Sequence, residues 1–177
     1  MAPESDRPSL SDPAEAEYFA RLSRVLGGDF ELQNLIGRGG FGVVYRALDR
    51  RLDRPVAVKA LRHDLFPTPE LLQRFNREAR AVAKLRHPNI LPVYAVGEGE
   101  GIAYMVMPLV EGESLESYLK REGKLSTADA VRITSESAEA LEAAHKHGLV
   151  HRDVKPANIM LEGDGRRALL MDCGITM

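Results

Sequence analysis

Gly37-Arg38-Gly39-Gly40-Phe41-Gly42-Val43-Val44-Tyr45 is the stretch on which the reading of this chain turns. Glycines spaced as Gly37-x-Gly39-x-x-Gly42 let a backbone approach phosphates closely and turn its amides toward anionic oxygens. The same spacing opens a dinucleotide-binding turn, but that turn runs directly into a helix. Here β-branched and aromatic residues follow (Val43, Val44, Tyr45), then a polar turn over residues 48–54 and the strand Pro55-Val56-Ala57-Val58-Lys59-Ala60. The spacing therefore predicts a glycine-rich hairpin folded over a nucleotide. Taken alone, the motif fits a plain tight turn equally well.

Working outward, residues 30–36 read as the strand entering the glycines. A helix is expected over about 68–85, and short strands near 90–96 and 102–107. This half is a small antiparallel sheet carrying one helix. Before it, residues 1–13 are rich in Pro, Ser and Asp and read as a mobile tail. Tyr18, Phe19, Leu22, Val25 and Leu26 recur at helical spacing, so a short amphipathic helix is expected over 14–28, closed by Gly27-Gly28. The second half is mainly helical. Glu111-Gly112-Glu113 reads as a link and 114–121 as a short helix. A long helix starts at Ser126, with Asp129 three positions on, and stops at Gly148. Its apolar side is expected to carry Ile133, Leu141 and Ala144. Gly163-Asp164-Gly165 turns a hairpin between 158–161 and 168–171.

The composition narrows the class of protein. A net charge of −2 over 177 residues gives no general attraction to nucleic acid or acidic membranes, so neither is expected as a partner. The single cysteine, Cys173, precludes an internal disulfide and fits a reducing compartment. No apolar run reaches the ~18 residues of a membrane span, and the N-terminus lacks a secretory pattern. A cytoplasmic protein with no membrane segment in this chain is expected.

Six further residues carry chemistry. Lys59 ends an apolar strand, where an exposed strand-end lysine is the ordinary reading. Leu71, Phe75, Glu78, Val82 and Leu85 share one helix face, and a carboxylate within an apolar stripe needs a cation. Lys59 is the expected partner of Glu78 and a phosphate ligand; a surface pair between Glu78 and Arg74 is the alternative. In His151-Arg152-Asp153-Val154-Lys155-Pro156-Ala157-Asn158, Asp153 can accept the proton of an attacking hydroxyl. Lys155 can offset charge on a transferring phosphoryl group, and Asn158 can hold Mg²⁺. Asp172 ends the strand Ala168-Leu169-Leu170-Met171 and is a second candidate Mg²⁺ ligand. His63, His87, His145 and His147 lack metal-ligand spacing with a cysteine.

These motifs, in this order, resemble those of the bacterial Hanks-type serine/threonine protein kinases, in register over residues 30–176. The resemblance implies an α+β, protein-kinase-like fold. Its N-lobe and hinge would span 29–110, a small antiparallel sheet with one αC helix, and a partial, mainly helical C-lobe would span 111–177. It implies ATP and Mg²⁺ (or Mn²⁺) as cofactors and the Ser/Thr hydroxyls of a protein as substrate. The catalytic set would be Asp153, Lys155, Lys59 and Glu78, with Asn158 and Asp172 on metal. The nucleotide would meet Ile36, Gly37, Gly39, Gly40, Phe41, Gly42, Val44, Ala57, Lys59 and Met160. Met107 would be the gatekeeper, Pro108 to Val110 the hinge that meets adenine, and Ser114 a ribose contact. Cys173 stands where the family's metal motif carries Phe, a lost apolar contact expected to cost a few kcal/mol, on the order of a large-to-small core change. The sequence ends at Met177, before an activation segment, so a truncated nucleotide-binding or docking module is the alternative function.

Overall fold

The computed structural model describes residues 13–39, 42–61 and 69–172. The chain divides into two compact units, Met1–Asn76 with Val93–Leu109, and Arg77–Pro92 with Val110–Met177.

The first unit is built on an antiparallel sheet of β1 (Phe30–Arg38), β2 (Gly42–Asp49), β3 (Arg54–Leu61), β4 (Ala95–Gly99) and β5 (Ile102–Pro108), in the order β1-β2-β3-β5-β4. β2 and β3 pair without interruption from Gly42↔Leu61 to Asp49↔Arg54. Buried Asp49 fixes their turn by accepting from the amides of Arg51 and Leu52, each at 3.2 Å. One sheet face presents Val43, Tyr45, Ala47, Val56, Val58, Ala60, Ile102 and Val106 to helix α1 (Pro13–Leu26). That helix buries Tyr18, Leu22 and Leu26, four residues apart, against them. Phe19 meets Tyr45 edge-on, with ring centres 5.5 Å apart.

Helix α2 (Pro69–Val82) carries buried Phe75, Glu78, Ala79 and Val82, the spacing of one helical face. The side chains of Leu71 and Arg74, named in the sequence reading, lie outside the described residues. The strand expected near 90–96 starts only at Ala95. Ile90 bridges to Leu170 and the Leu91 amide donates to the Leu170 carbonyl at 3.0 Å, both within the second unit. Pro92, with no amide hydrogen, separates that stretch from β4.

The second unit contains α3 (Leu115–Glu122), α4 (Thr127–Lys146) and a three-stranded antiparallel sheet, β6 (Gly112–Ser114), β7 (Ile159–Glu162) and β8 (Arg167–Leu170). Ser114 and Ser126 cap the two helices, accepting from the amides of Ser117 and Asp129 at 3.1 and 3.0 Å. The link expected at 111–113 is in part a strand. A Cβ at Gly112 would lie 2.0 Å from the Leu161 carbonyl oxygen, so only glycine lets β6 pair with β7. The buried stripe of α4 runs through Ile133, Ser137, Ala140 and Ala144, whereas Leu141 is only half-buried. Small residues dominate because α4 packs closely on β8. There Glu136 accepts from the Ala168 amide at 2.7 Å, and Arg132 donates to the Arg166 carbonyl at 2.9 Å.

Leu22→Ala should lower unfolding stability of the first unit by about 2–5 kcal/mol, read as a shifted urea midpoint, because Leu22 is fully buried beneath the sheet. A shift below about 0.5 kcal/mol would show that α1 does not complete this core.

Candidate functional site

In the first unit the glycines do form a hairpin. Gly37 pairs with Val44 and Arg38 with Val43, and the Gly39 amide donates to the Gly42 carbonyl at 2.8 Å. Gly40 and Phe41 lie outside the described residues. A Cβ on Gly42 would stand 2.9 Å from the Ala60 carbonyl oxygen and 3.4 Å from Lys59 Cε, so the strand reaches Lys59 only with a bare backbone. Ladder partners fix which residues share a face. Lys59 lies opposite Val44 on one side and Met105 on the other, and Ala57 lies opposite Met107. With a side-chain period of two, Val44, Ala57, Lys59, Met105 and Met107 all stand on the face away from α1. Ile36 is 45% exposed, and Pro108 ends β5.

The other residues belong to the second unit. α4 ends at Lys146, and Gly148 (φ 74°) reverses the chain with the Leu149 amide donating to Ala144. The loop that follows is stitched by short hydrogen bonds. His151 is 1% exposed, with Nε2 2.7 Å from the Met171 carbonyl oxygen and Nδ1 3.3 Å from the Asp153 amide nitrogen. An amide that donates to Nδ1 places the ring proton on Nε2, where it donates to Met171. Asn158 Nδ2 donates both to the Asp153 carbonyl at 2.8 Å and to its carboxylate Oδ2 at 3.0 Å. Lys155 Nζ reaches the same Oδ2 at 2.7 Å. The Met171 amide donates to the Asn158 carbonyl at 2.9 Å, which sets Asp172 at the end of the β8 strand path beside this loop.

Asp153, Lys155 and Asn158 are thus brought together. Asp172 and Arg152 take left-handed backbone conformations (φ 58° and 65°), uncommon for residues other than glycine. Glu78, 9% exposed, has Arg152 Nη1 at 3.8 Å. Ser114 faces Met160 across the β6–β7 ladder while its hydroxyl caps α3. Cys173 lies outside the described residues, as does His63. Among the described residues no cluster of His, Cys, Asp or Glu forms a metal cage, and no helix is long and apolar enough to cross a membrane.

The sequence reading gave His151 no role, although it holds both Asp153 and the residue before Asp172. Its signal was its place at the head of the loop motif, read there as part of a pattern rather than as a buried ring.

The Lys155 ammonium, with help from the Asn158 amide, holds the Asp153 carboxyl below the usual aspartate range. Asp153 therefore stays ionised to lower pH than an ordinary aspartate. In Lys155→Met its titration midpoint, followed by carboxyl-carbon NMR, should move up toward the ordinary value. An unmoved midpoint would mean that Lys155 does not face Asp153 in solution.

The protein kinase domain family matches residues 30–177. The serine/threonine-protein kinase PknA of Mycobacterium tuberculosis is 47% identical over 160 residues, 88% of this chain and 37% of that protein. A probable serine/threonine-protein kinase of Streptomyces coelicolor is 46% identical over 86% of the chain and 23% of its own length. The chain thus spans well under half of these relatives. Among solved structures, the Mycobacterium tuberculosis PknI kinase domain aligns with a TM-score of 0.76 at 32% identity, over 85% of this chain and 61% of that one. Rad53 residues 1–466 in complex with AMP-PNP aligns with a TM-score of 0.74 at 28% identity, over 84% of this chain and 39% of that one. The chain belongs to the protein kinase domain family.

Proposed function

We propose that these residues carry ATP-dependent phosphoryl transfer to the Ser or Thr hydroxyl of a protein substrate. The observation that supports this most is the Asp153 carboxylate, held at Oδ2 by both Lys155 and Asn158. With Oδ2 so engaged, Oδ1 is the oxygen assigned to an incoming hydroxyl. As the substrate oxygen bonds to the γ-phosphorus and the bond to the ADP oxygen breaks, Asp153 takes the hydroxyl proton. A carboxylate of lowered pKa is a weak base, so its contribution is mainly orientation, which suits a transition state with little bond formation to the nucleophile. Lys155 offsets charge on the transferring group.

In the first unit, the backbone of Gly37, Gly39 and Gly42 cradles phosphate, with Gly40 and Phe41 completing the loop. Lys59 reaches the α- and β-phosphates. Ile36, Val44, Ala57 and Met107 contact the adenine, which the backbone of Pro108 and Leu109 recognises; of the second unit, Val110 and Met160 are assigned as nucleotide contacts. Ser114 keeps one oxygen lone pair after capping α3, enough to accept from a ribose hydroxyl. The AMP-PNP complex of Rad53 supports ATP as the nucleotide.

The donors also fit Mg²⁺. Asn158 uses its amide nitrogen within the loop, so its oxygen is the end that a cation would take, and Asp172 adds a carboxylate. A bound Mg²⁺ would neutralise charge on the phosphates. The single cysteine supports action in a reducing compartment such as the cytoplasm.

Lys59→Met should abolish transfer from γ-labelled ATP to a generic Ser/Thr protein substrate. Undiminished incorporation in that variant would remove this mechanism. If the unaltered chain is stabilised by Mg-ATP but transfers nothing, the nucleotide-binding module becomes the correct reading.

A further inference from the structure

Arg38 sits between two glycines of the phosphate-loop motif, and it is tied to a helix outside the sheet. Its Nη1 and Nη2 donate to Glu15 Oε1 and Oε2 at 2.5 and 2.8 Å, a fork-on-carboxylate geometry that fixes orientation as well as distance. Glu15 lies in the first turn of α1, where the helix dipole favours a carboxylate.

The helix that carries Glu15 is anchored independently of this pair. Tyr18 donates its hydroxyl to the carbonyl of Leu61, the last residue of β3. Leu22 is fully buried, and Phe19 lies edge-on to Tyr45. At the far end Arg24 pairs with Glu100, in the turn between β4 and β5, at 2.9 Å. Val25 packs so closely on β4 that a Cβ at Gly99 would stand 3.0 Å from it. The tethered segment is held by its backbone, through the ladder of Gly37 with Val44 and Arg38 with Val43 and the Gly39–Gly42 hydrogen bond. A glycine-rich backbone has much conformational freedom to lose, and ordering it in advance strengthens ligand binding.

We propose that Glu15 is a positioning residue for the entry to the glycine-rich loop, holding residues 37–39 through Arg38 in place for nucleotide phosphates. This deepens the phosphotransfer reading above and rests on it. The pair is 51% and 21% exposed at its two side chains, so its effect is modest and weakens with salt.

The test compares the unaltered chain with Glu15→Gln, Arg38→Gln, the double variant and the charge-swapped Glu15→Arg/Arg38→Glu. Amide hydrogen exchange is measured without nucleotide, together with Tm and the Kd for Mg-ATP. Exchange at Gly39 and Val43 should rise about threefold in each single variant, the size such a half-exposed pair supports. It should rise no further in the double variant and largely recover in the swapped pair, while amides of β3 and β5 keep their protection. Kd should rise by a similar factor. Equal loss of protection throughout the sheet would indicate a merely structural role and overturn the proposal. A Kd that falls in Glu15→Gln would make Arg38 a phosphate ligand withheld by Glu15, which also overturns it. If the unaltered chain binds Mg-ATP and the variants bind equally well, this inference alone fails. If the unaltered chain does not bind Mg-ATP, the phosphotransfer reading fails and takes this inference with it.

Discussion

The two hydrogen bonds that Asn158 donates to Asp153, one to the backbone carbonyl and one to the carboxylate, close the loop 151–158 on itself. The chemistry proposed for the second unit depends on that closure. A carboxylate on an untethered loop would lose conformational freedom at the moment of reaction; here that ordering is completed in folding. The backbone around the loop is arranged to keep it. His151, buried, bridges the Asp153 amide and the Met171 carbonyl, and the Met171 amide returns to Asn158. Behind them, the β6–β7–β8 sheet is tied to α4 through Glu136 and Arg132, and Gly112 admits the third strand.

The first unit solves a different problem, that of presenting a lysine from the middle of an apolar strand. Alternation along β3 sends Val56, Val58 and Ala60 into the core under α1 and leaves Ala57 and Lys59 on the opposite face. The uninterrupted β2–β3 register keeps Val44 directly opposite Lys59, and Gly42 gives the lysine's stem room. The helix α1 closes the core on one face, and Lys59 stands on the other, where nucleotide binding is proposed.

Much of this was legible because period and punctuation agree. The choice between a hairpin and a helix after Gly42 followed from Val43, Val44 and Tyr45, and the ladder bears it out. Ser126 and Gly148 bracket α4 because a hydroxyl cap and a left-handed glycine are local signals. What stayed hidden was non-local. Apolar Ile90 and Leu91 look like strand residues, yet they pair with Leu170, some eighty positions away, rather than continuing β4. Gly112 and Glu113 read as part of a link, and Ser114 as the start of a helix, because so short a stretch carries no period; only the pairing of 112–114 with β7 makes them a strand. The buried stripe of α4 passes through Ser137 and Ala140 rather than Leu141, since close packing on β8 favours small side chains over apolar bulk. At the site, the motif named Asp153, Lys155 and Asn158, but not His151's two bonds, which depend on where Met171 returns.

In the proposed mechanism Asp153, held by its own loop, takes the substrate proton during phosphoryl transfer. The most direct measurement is single-turnover transfer from γ-labelled ATP at saturating Mg-ATP, with bound nucleotide determined in the same samples, for the unaltered chain and Asp153→Asn. Nucleotide binding should be retained while the transfer rate constant falls by about 10²–10⁴-fold, from the loss of a group that orients the hydroxyl and takes its proton. Equal rate constants for the two proteins, at equal nucleotide occupancy, would contradict it.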